Sequence, residues 1–152
     1  MNKIDLNTLT SIDDDFALWA AEQGALIRSG RFDRVDVENV AEELESLGRG
    51  DKYQIDHRME VLLAHLLKWQ FQPEERSNSW KATLFEQRTR IVRLIDDSPS
   101  LKVRPGEMLR GSYIIGRYEA IRETKLPEII FPETCPYTIE QILDPDFLPG
   151  GL

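Results

Sequence analysis

The sequence contains a single cysteine, Cys135, among its 152 residues. One thiol cannot form a disulfide within the chain, so an internal disulfide framework is excluded and the reducing cytoplasm is the expected location. Long apolar runs are also missing, because the most apolar stretch is interrupted by His65 and Lys68. This pattern argues against a membrane-spanning helix and against a secretory signal.

Basic residues are scarce relative to acidic ones, with 19 lysines and arginines against 27 aspartates and glutamates, a formal charge of −8. A surface that binds nucleic acid nonspecifically needs clustered lysine and arginine to release counterions. The charge balance therefore argues against a nucleic-acid partner. Residues 51–95 are the exception, with eight bases and six acids, and packing against the acidic flanking segments would neutralise them.

Metal-binding motifs are missing as well, since the chain has neither paired cysteines nor an H-E-x-x-H sequence. His57 and His65 are separated by about 12 Å along one straight helix and cannot share an ion. His57 with Glu60 supplies at best half a chelate. The sequence therefore predicts no metal site, and it indicates no cofactor.

The apolar residues that are present recur at helical spacing, without the alternation of a half-buried strand. The sequence predicts an all-α protein, a single-domain helical bundle of about five main helices with an irregular, proline-rich C-terminal strap. We expect residues 1–12 to form an N-terminal extension and residues 13–149 to form the domain.

The expected helices cover residues 13–29, 36–48, 51–72, a segment from about 77 to the sequence DSPS, and 105–124. Gly48 is expected to end the second helix, so that the chain turns near Arg49 into an antiparallel hairpin. Pro73 ends the third helix, which should pair antiparallel with the fourth. Gly111 and Gly116 each cost ~1 kcal/mol inside a helix, and close packing against a neighbour should compensate for them.

The C-terminal segment, LPEIIFPETCPYTIEQILDPDFLPGGL, contains too many prolines for a long helix and too many large apolar residues for a free linker. It should therefore strap onto the body of the protein. One short helix is predicted inside it, with Thr138 as N-cap and Gln141 three residues later in a capping-box arrangement.

A group of polar side chains around the turn between the third and fourth helices is the candidate site. His65 lies at the edge of the buried stripe of the third helix, and a pocket for an anionic ligand would be formed by His65, Lys68, Arg76, Trp80 and Arg88. The alternative is structural, since tryptophans on both sides of a turn commonly stabilise a helical hairpin.

Arg88 falls inside the apolar stripe of its helix, together with Trp80, Leu84 and Ile91. A buried guanidinium needs a carboxylate or several carbonyl oxygens. We expect a structural ion pair with a carboxylate of the second helix, and Glu43 is the best candidate.

Four blocks of the sequence resemble, in order, those of the bacterial DUF29 family: RFDRVDVENVAEELESLGR, LLAHLLKWQFQPEERSNSWKATLFEQR, DDSPSL and FPETCPYTIEQILDPDFLP. The resemblance implies an all-helical single domain in bacteria. It implies no reaction and supplies no catalytic or ligand-binding residue. The segment KVRPGEMLRGSYIIGRYEA fits the family less well.

Two hypotheses of function follow. The first is a small cytoplasmic interaction or regulatory module that binds an unidentified protein partner, with a second copy of the chain as one alternative. The second is a ligand-binding or enzymatic domain with the His/Arg/Trp pocket. Convergence of the pocket residues on one open cleft would favour the second, and separate internal partners would favour the first.

Overall fold

The computed structural model describes residues 5–151, and every regular element within that range is helical. The described residues form six α-helices: α1 (Phe16–Arg28), α2 (Val37–Phe71), α3 (Asn78–Asp97), α4 (Arg104–Glu107), α5 (Leu109–Thr124) and α6 (Ile139–Leu143). Short 3-10 segments lie at Phe32–Arg34, Pro73–Glu75, Pro99–Val103 and Glu128–Ile130. The prediction of an all-α fold is confirmed.

The chain forms two compact units, the first ending at Arg49 and the second beginning at Gly50. The division falls inside α2, which contributes its first part to one unit and its second part to the other. The sequence-based division into an extension, residues 1–12, and one domain, residues 13–149, stays a prediction.

The predicted break between the second and third helices is wrong, because α2 is one helix of 35 residues. Gly48 and Gly50 both lie within it as helical residues. A glycine that ends a helix usually takes a left-handed conformation, as Gly30 does after α1 with φ of 76°. Neither helical glycine does so, and the expected hairpin at Arg49 does not form.

In the first unit, polar side chains connect α1 to the start of α2. The indole of Trp19 donates to the Asp36 carboxylate at 3.1 Å, and the main-chain N–H of Asp36 donates to the side-chain oxygen of Gln23 at 2.7 Å. Hydrogen bonds from Asn39 and then from Trp19 lower the pKa of the Asp36 carboxyl group. These hydrogen bonds fix the position of Asp36, which directly precedes α2.

The core of the second unit is built around the second part of α2. The apolar stripe predicted there is buried as expected, with Ile55, Met59, Leu62, Leu66 and Trp69 at most 5% exposed. The other elements add their own apolar side chains to this core: Leu84, Ile91, Leu101, Tyr113, Ala120, Phe131, Tyr137 and Ile142.

The pairing of α3 with α2 is antiparallel, as the sequence predicts. Arg58 of α2 donates to Gln87 of α3 at 3.2 Å, and the ammonium of Lys68 lies 4.7 Å from the ring centre of Trp80. Later residues of α2 thus contact earlier residues of α3, because the two helices run in opposite directions.

Helix α5 runs in the same direction as α2. Arg104 of α4, the helix that precedes α5, pairs with Asp56 of α2 at 2.6 Å. Lys68, farther along α2, pairs with Glu123 near the end of α5 at 2.6 Å. Helices α3 and α5 therefore both pack along the second part of α2.

Gly116 allows α5 to approach α2 closely. A Cβ atom at this position would lie 2.9 Å from the carbonyl oxygen of Glu60 and 3.0 Å from the Cβ of Leu63. The expected compensation by close packing is therefore confirmed for Gly116. It is wrong for Gly111, where a Cβ would meet nothing within 4 Å.

The tail straps onto the second unit, as predicted. Phe131 is 1% exposed and packs edge-on against Phe71, with ring centres 5.6 Å apart. Thr138 and Gln141 form the predicted capping box at the start of α6. Ile142 of that short helix is fully buried.

Candidate functional site

His65 lies in a cleft of about 280 Å³ between α2 and α5, which is also lined by His57, Glu60, Val61, Ala64, Ile115, Glu119, Arg122 and Glu123. The Nδ1 atom of His65 is 2.8 Å from the carbonyl oxygen of Val61. A carbonyl oxygen only accepts, so Nδ1 carries the proton and Nε2 is an acceptor in the neutral ring. Burial lowers the pKa of His65, which favours this neutral form.

The carboxylates of this cleft already face cationic or basic side chains. Glu123 pairs with Lys68 at 2.6 Å, Glu119 pairs with Arg122, and Glu60 lies 3.5 Å from a ring nitrogen of His57. The cleft is thus largely neutralised by its own residues.

Lys68 is held by two partners inside the protein. Its side chain is 9% exposed, its ammonium contacts the Glu123 carboxylate, and it lies over the Trp80 ring. A desolvated ammonium gains from both the carboxylate and the negative face of the indole. Lys68 and Trp80 therefore have a structural contact with each other.

Arg76 lies in a different cleft, a shallow one of about 430 Å³ at the start of α3, lined by Trp69, Arg76, Ser77, Asn78 and Lys81. Its Nε donates to the carbonyl oxygen of Trp69 at 2.8 Å, and the guanidinium lies 5.0 Å from the centre of the same residue's ring. These contacts attach Arg76 to the end of α2.

Arg88 is buried as the sequence predicts, at 3% exposed, but its acceptors are main-chain carbonyl oxygens. Nε donates to Ile142 at 2.8 Å and Nη2 donates to Phe147 at 2.9 Å. These carbonyls take the place of the carboxylate expected from Glu43. Burial lowers the pKa of Arg88, and the nearby carboxylates of Asp144 and Asp146 act in the opposite direction. Arg88 therefore fastens the tail to α3.

A third cleft of about 550 Å³ lies beside Arg88, between α3 and the tail. Its apolar lining comes from Phe85, Val92, Leu143 and Pro145. Arg76 at the start of α3 and Arg88 under the tail thus lie in surroundings of their own. Lys68, which contacts Trp80, is connected to His65 through Glu123, which pairs with Lys68 and lines the His65 cleft.

Sequence reasoning gave no functional role to the apolar residues at the start of α2. Val37, Leu44 and Leu47 are 62%, 65% and 71% exposed, and Val40 is half-buried. At 100° per residue these four side chains span about 80° of the helix surface. We call Val37, Val40, Leu44 and Leu47 the α2 stripe.

Acidic residues outnumber basic ones in the part of α2 that carries the stripe. From Val37 to Asp51 the chain has five acidic residues and one basic residue. The basic residue, Arg49, lies 2.9 Å from Glu42 and 3.9 Å from Glu45. Its charge is therefore engaged within the helix, and the net charge of this segment stays negative.

Within residues 5–151, no three or more histidine, cysteine, aspartate or glutamate side chains form a group that could hold a metal ion. No helix in the same part of the chain combines the length and the apolarity needed to cross a membrane. The three clefts described above and the α2 stripe are candidate surfaces for binding.

The family model described as "Domain of unknown function DUF29" matches residues 12–148. No curated protein and no solved structure matches the chain.

Proposed function

The chain belongs to the DUF29 family, whose description names no activity, and from the chain's own geometry we propose that it is a protein-interaction module that presents the α2 stripe to a partner protein. The proposal includes a regulatory role in the bacterial cytoplasm. A reducing compartment suits a single thiol, Cys135, that is half-buried and whose pKa is raised by burial.

The observation that carries the proposal is the exposure of Leu44 and Leu47 on the same side of α2 as Val37. Removing one such side chain from water contributes about 1.5–3 kcal/mol. Single exposed apolar residues are ordinary, but a contiguous apolar patch with a polar rim commonly marks an interaction site.

The alternative, an enzyme or binding domain for an anionic ligand, has weaker support. Its cations have internal partners: Lys68 contacts Glu123, Arg76 contacts the carbonyl of Trp69, and Arg88 contacts the tail. A guanidinium or ammonium that is already paired gains less from a ligand, because the internal contact must first be given up.

Site-specific photo-cross-linking in the source cell tests the proposed function. A photoreactive phenylalanine analogue replaces Leu47 in one variant and Ser46 in the other. Ser46 is a matched control because it is exposed and lies about 140° from the centre of the stripe. We expect discrete cross-linked species from position 47 and none from position 46, and we expect Leu44→Ser to remove them.

Failure to cross-link at position 47, or the same species from positions 46 and 47, would contradict the proposal. A purified chain that turns over an anionic metabolite, and loses that activity on Arg76→Ala without unfolding, would replace it with the ligand-binding hypothesis.

A further inference from the structure

We infer that the partner of the α2 stripe is a basic amphipathic helix of another protein. The inference rests on the proposed function, and it adds the shape and the charge of the surface that the stripe recognises.

The shape follows from the spacing of the stripe. Val37, Val40, Leu44 and Leu47 are separated by three, four and three residues, which is the a/d pattern of two heptads. Side chains at this spacing leave holes that the a and d side chains of another helix fill. The stripe rises about 15 Å along the axis, so about three turns of a partner helix cover it.

One flank of the stripe allows close approach. Ala41 and Gly48 both lie within about 80° of the centre of the stripe, on the same side. A Cβ atom added at Gly48 would meet nothing within 4 Å. Neither residue obstructs a helix that packs on the leucines, so the two backbones can come near each other.

The charge of the partner follows from the other side chains near the stripe. Glu43 flanks one side, about 80° from the centre of the stripe, and Glu45 lies farther round the opposite side, at about 120°. Lysine or arginine at the flanking positions of the partner would face these carboxylates, and such complementarity selects among partners and speeds association.

A second copy of this chain fits the stripe less well. In a pair of identical stripes, the carboxylates of Glu43 and Glu45 would lie beside an equally acidic helix, and each chain carries a formal charge of −8. Like charges at an interface are repulsive. The surface charge therefore favours a basic partner over self-association.

The inference can be tested with the purified full-length chain and two designed peptides of about three heptads. Both peptides carry leucine at a and d; one has lysine and the other has glutamate at e and g. We expect the lysine peptide to bind at least about tenfold more tightly by fluorescence anisotropy at low salt. The difference should shrink as the salt concentration rises from about 0.05 M to about 0.5 M, because salt screens the charges.

Three variants locate the binding. Leu44→Ser with Leu47→Ser should weaken binding of the lysine peptide by at least about tenfold, since the apolar contact is lost. Phe85→Ser removes a comparably exposed apolar side chain in the second unit and should leave binding unchanged. Glu43→Lys with Glu45→Lys should reverse the preference, so that the glutamate peptide binds more tightly.

Equal binding of the two peptides, or an unchanged preference after the charge reversal, would overturn the inference. A dimer detected by sedimentation and abolished by the Leu44 and Leu47 changes would also overturn it, by assigning the stripe to a second copy. Cross-linking at position 47 together with failure of the lysine peptide would leave the proposed function standing and reject only the basic helix.

Discussion

His65 shows how a single polar side chain is accommodated at the edge of the core. Its Nδ1 donates to the carbonyl of Val61 one turn earlier in α2, and burial lowers the pKa of the ring. The charge of Lys68 lowers the pKa further, whereas the charge of Glu123 raises it. The side chain therefore contributes to folding as a neutral group.

The predicted consequence is a stability that decreases as the solution becomes acidic. The folded-state pKa of His65 lies below the ordinary value of about 6.5, so on acidification the unfolded chain takes up a proton before the folded chain does. The contribution to stability is complete above that ordinary pKa and is lost as the pH falls from there toward the folded-state pKa.

The measurement is urea unfolding of the natural chain and of His65→Asn at several pH values from about 8 to about 5. The free-energy difference between the two proteins should change in favour of His65→Asn as the pH falls. His57 is common to both proteins and largely cancels. A difference that is independent of pH would contradict the neutral state of His65.

For single residues, the sequence predicted which side chains are buried better than it predicted the groups that they contact. The angular position of Arg88 correctly indicated a buried guanidinium. The sequence could not identify its acceptors, which are the main-chain carbonyls of Ile142 and Phe147. Every residue has such a carbonyl, and these two lie more than fifty positions away in the sequence. The exposure of Leu44 and Leu47 was equally hidden, since spacing identifies the apolar side of a helix and not what covers it.

At the scale of secondary-structure elements, the sequence correctly predicted the helix starts at which a side chain caps the backbone. Ser77 accepts from the N–H of Trp80 at the start of α3, and the Thr138 capping box opens α6. The prediction that Gly48 ends a helix was wrong, because a glycine near the end of an apolar pattern can either end the helix or lie within it. Only the backbone conformation distinguishes the two cases, and tertiary context sets it.

The two glycines of α5 give a matched pair of substitutions. Gly116→Ala should destabilise the protein by about 1–3 kcal/mol, because the added methyl group would press on the backbone of α2. Gly111→Ala should stabilise it by about 0.5–1 kcal/mol, because the position is exposed and alanine favours the helix.

Chemical denaturation followed by circular dichroism measures both effects. Equal shifts of the two variants in the same direction would show that helix propensity alone determines the outcome, and that α5 does not pack closely on α2 at Gly116.

At the scale of the whole molecule, the sequence correctly predicted an all-helical protein with a strapped tail, because the spacing of apolar residues indicates helices and the prolines of the tail exclude a long one. It did not reveal that the chain forms two compact units with the boundary inside one helix. The charge balance changes near Arg49, but the helical spacing of apolar residues continues beyond it, so no linker signal marks this boundary.

The tail offers a test of how strongly it supports the second unit. Phe131 is 1% exposed and Ile129, two residues earlier, is 91% exposed. Phe131→Ala should cost about 3–5 kcal/mol through loss of buried contacts and creation of a cavity. Ile129→Ala should change the free energy of unfolding by less than about 0.5 kcal/mol.

Thermal and urea unfolding of the two variants measure these changes in stability. A Phe131→Ala protein as stable as Ile129→Ala would mean that the tail is a loosely held peptide, and it would move the search for a partner site to the segment after Pro127.

The backbone of the tail is held by side chains of the helices, in addition to the buried contacts of Phe131 and Ile142. Arg117 donates to the carbonyls of Glu128 and Phe131, Tyr113 donates to that of Pro132, and Arg88 donates to that of Phe147. Every residue type offers the same carbonyl, so these attachments tolerate mutation of the exposed tail side chains. The outward-facing positions of the strap can therefore drift in evolution, or accept an affinity tag or a fluorophore, while its path over the protein is retained.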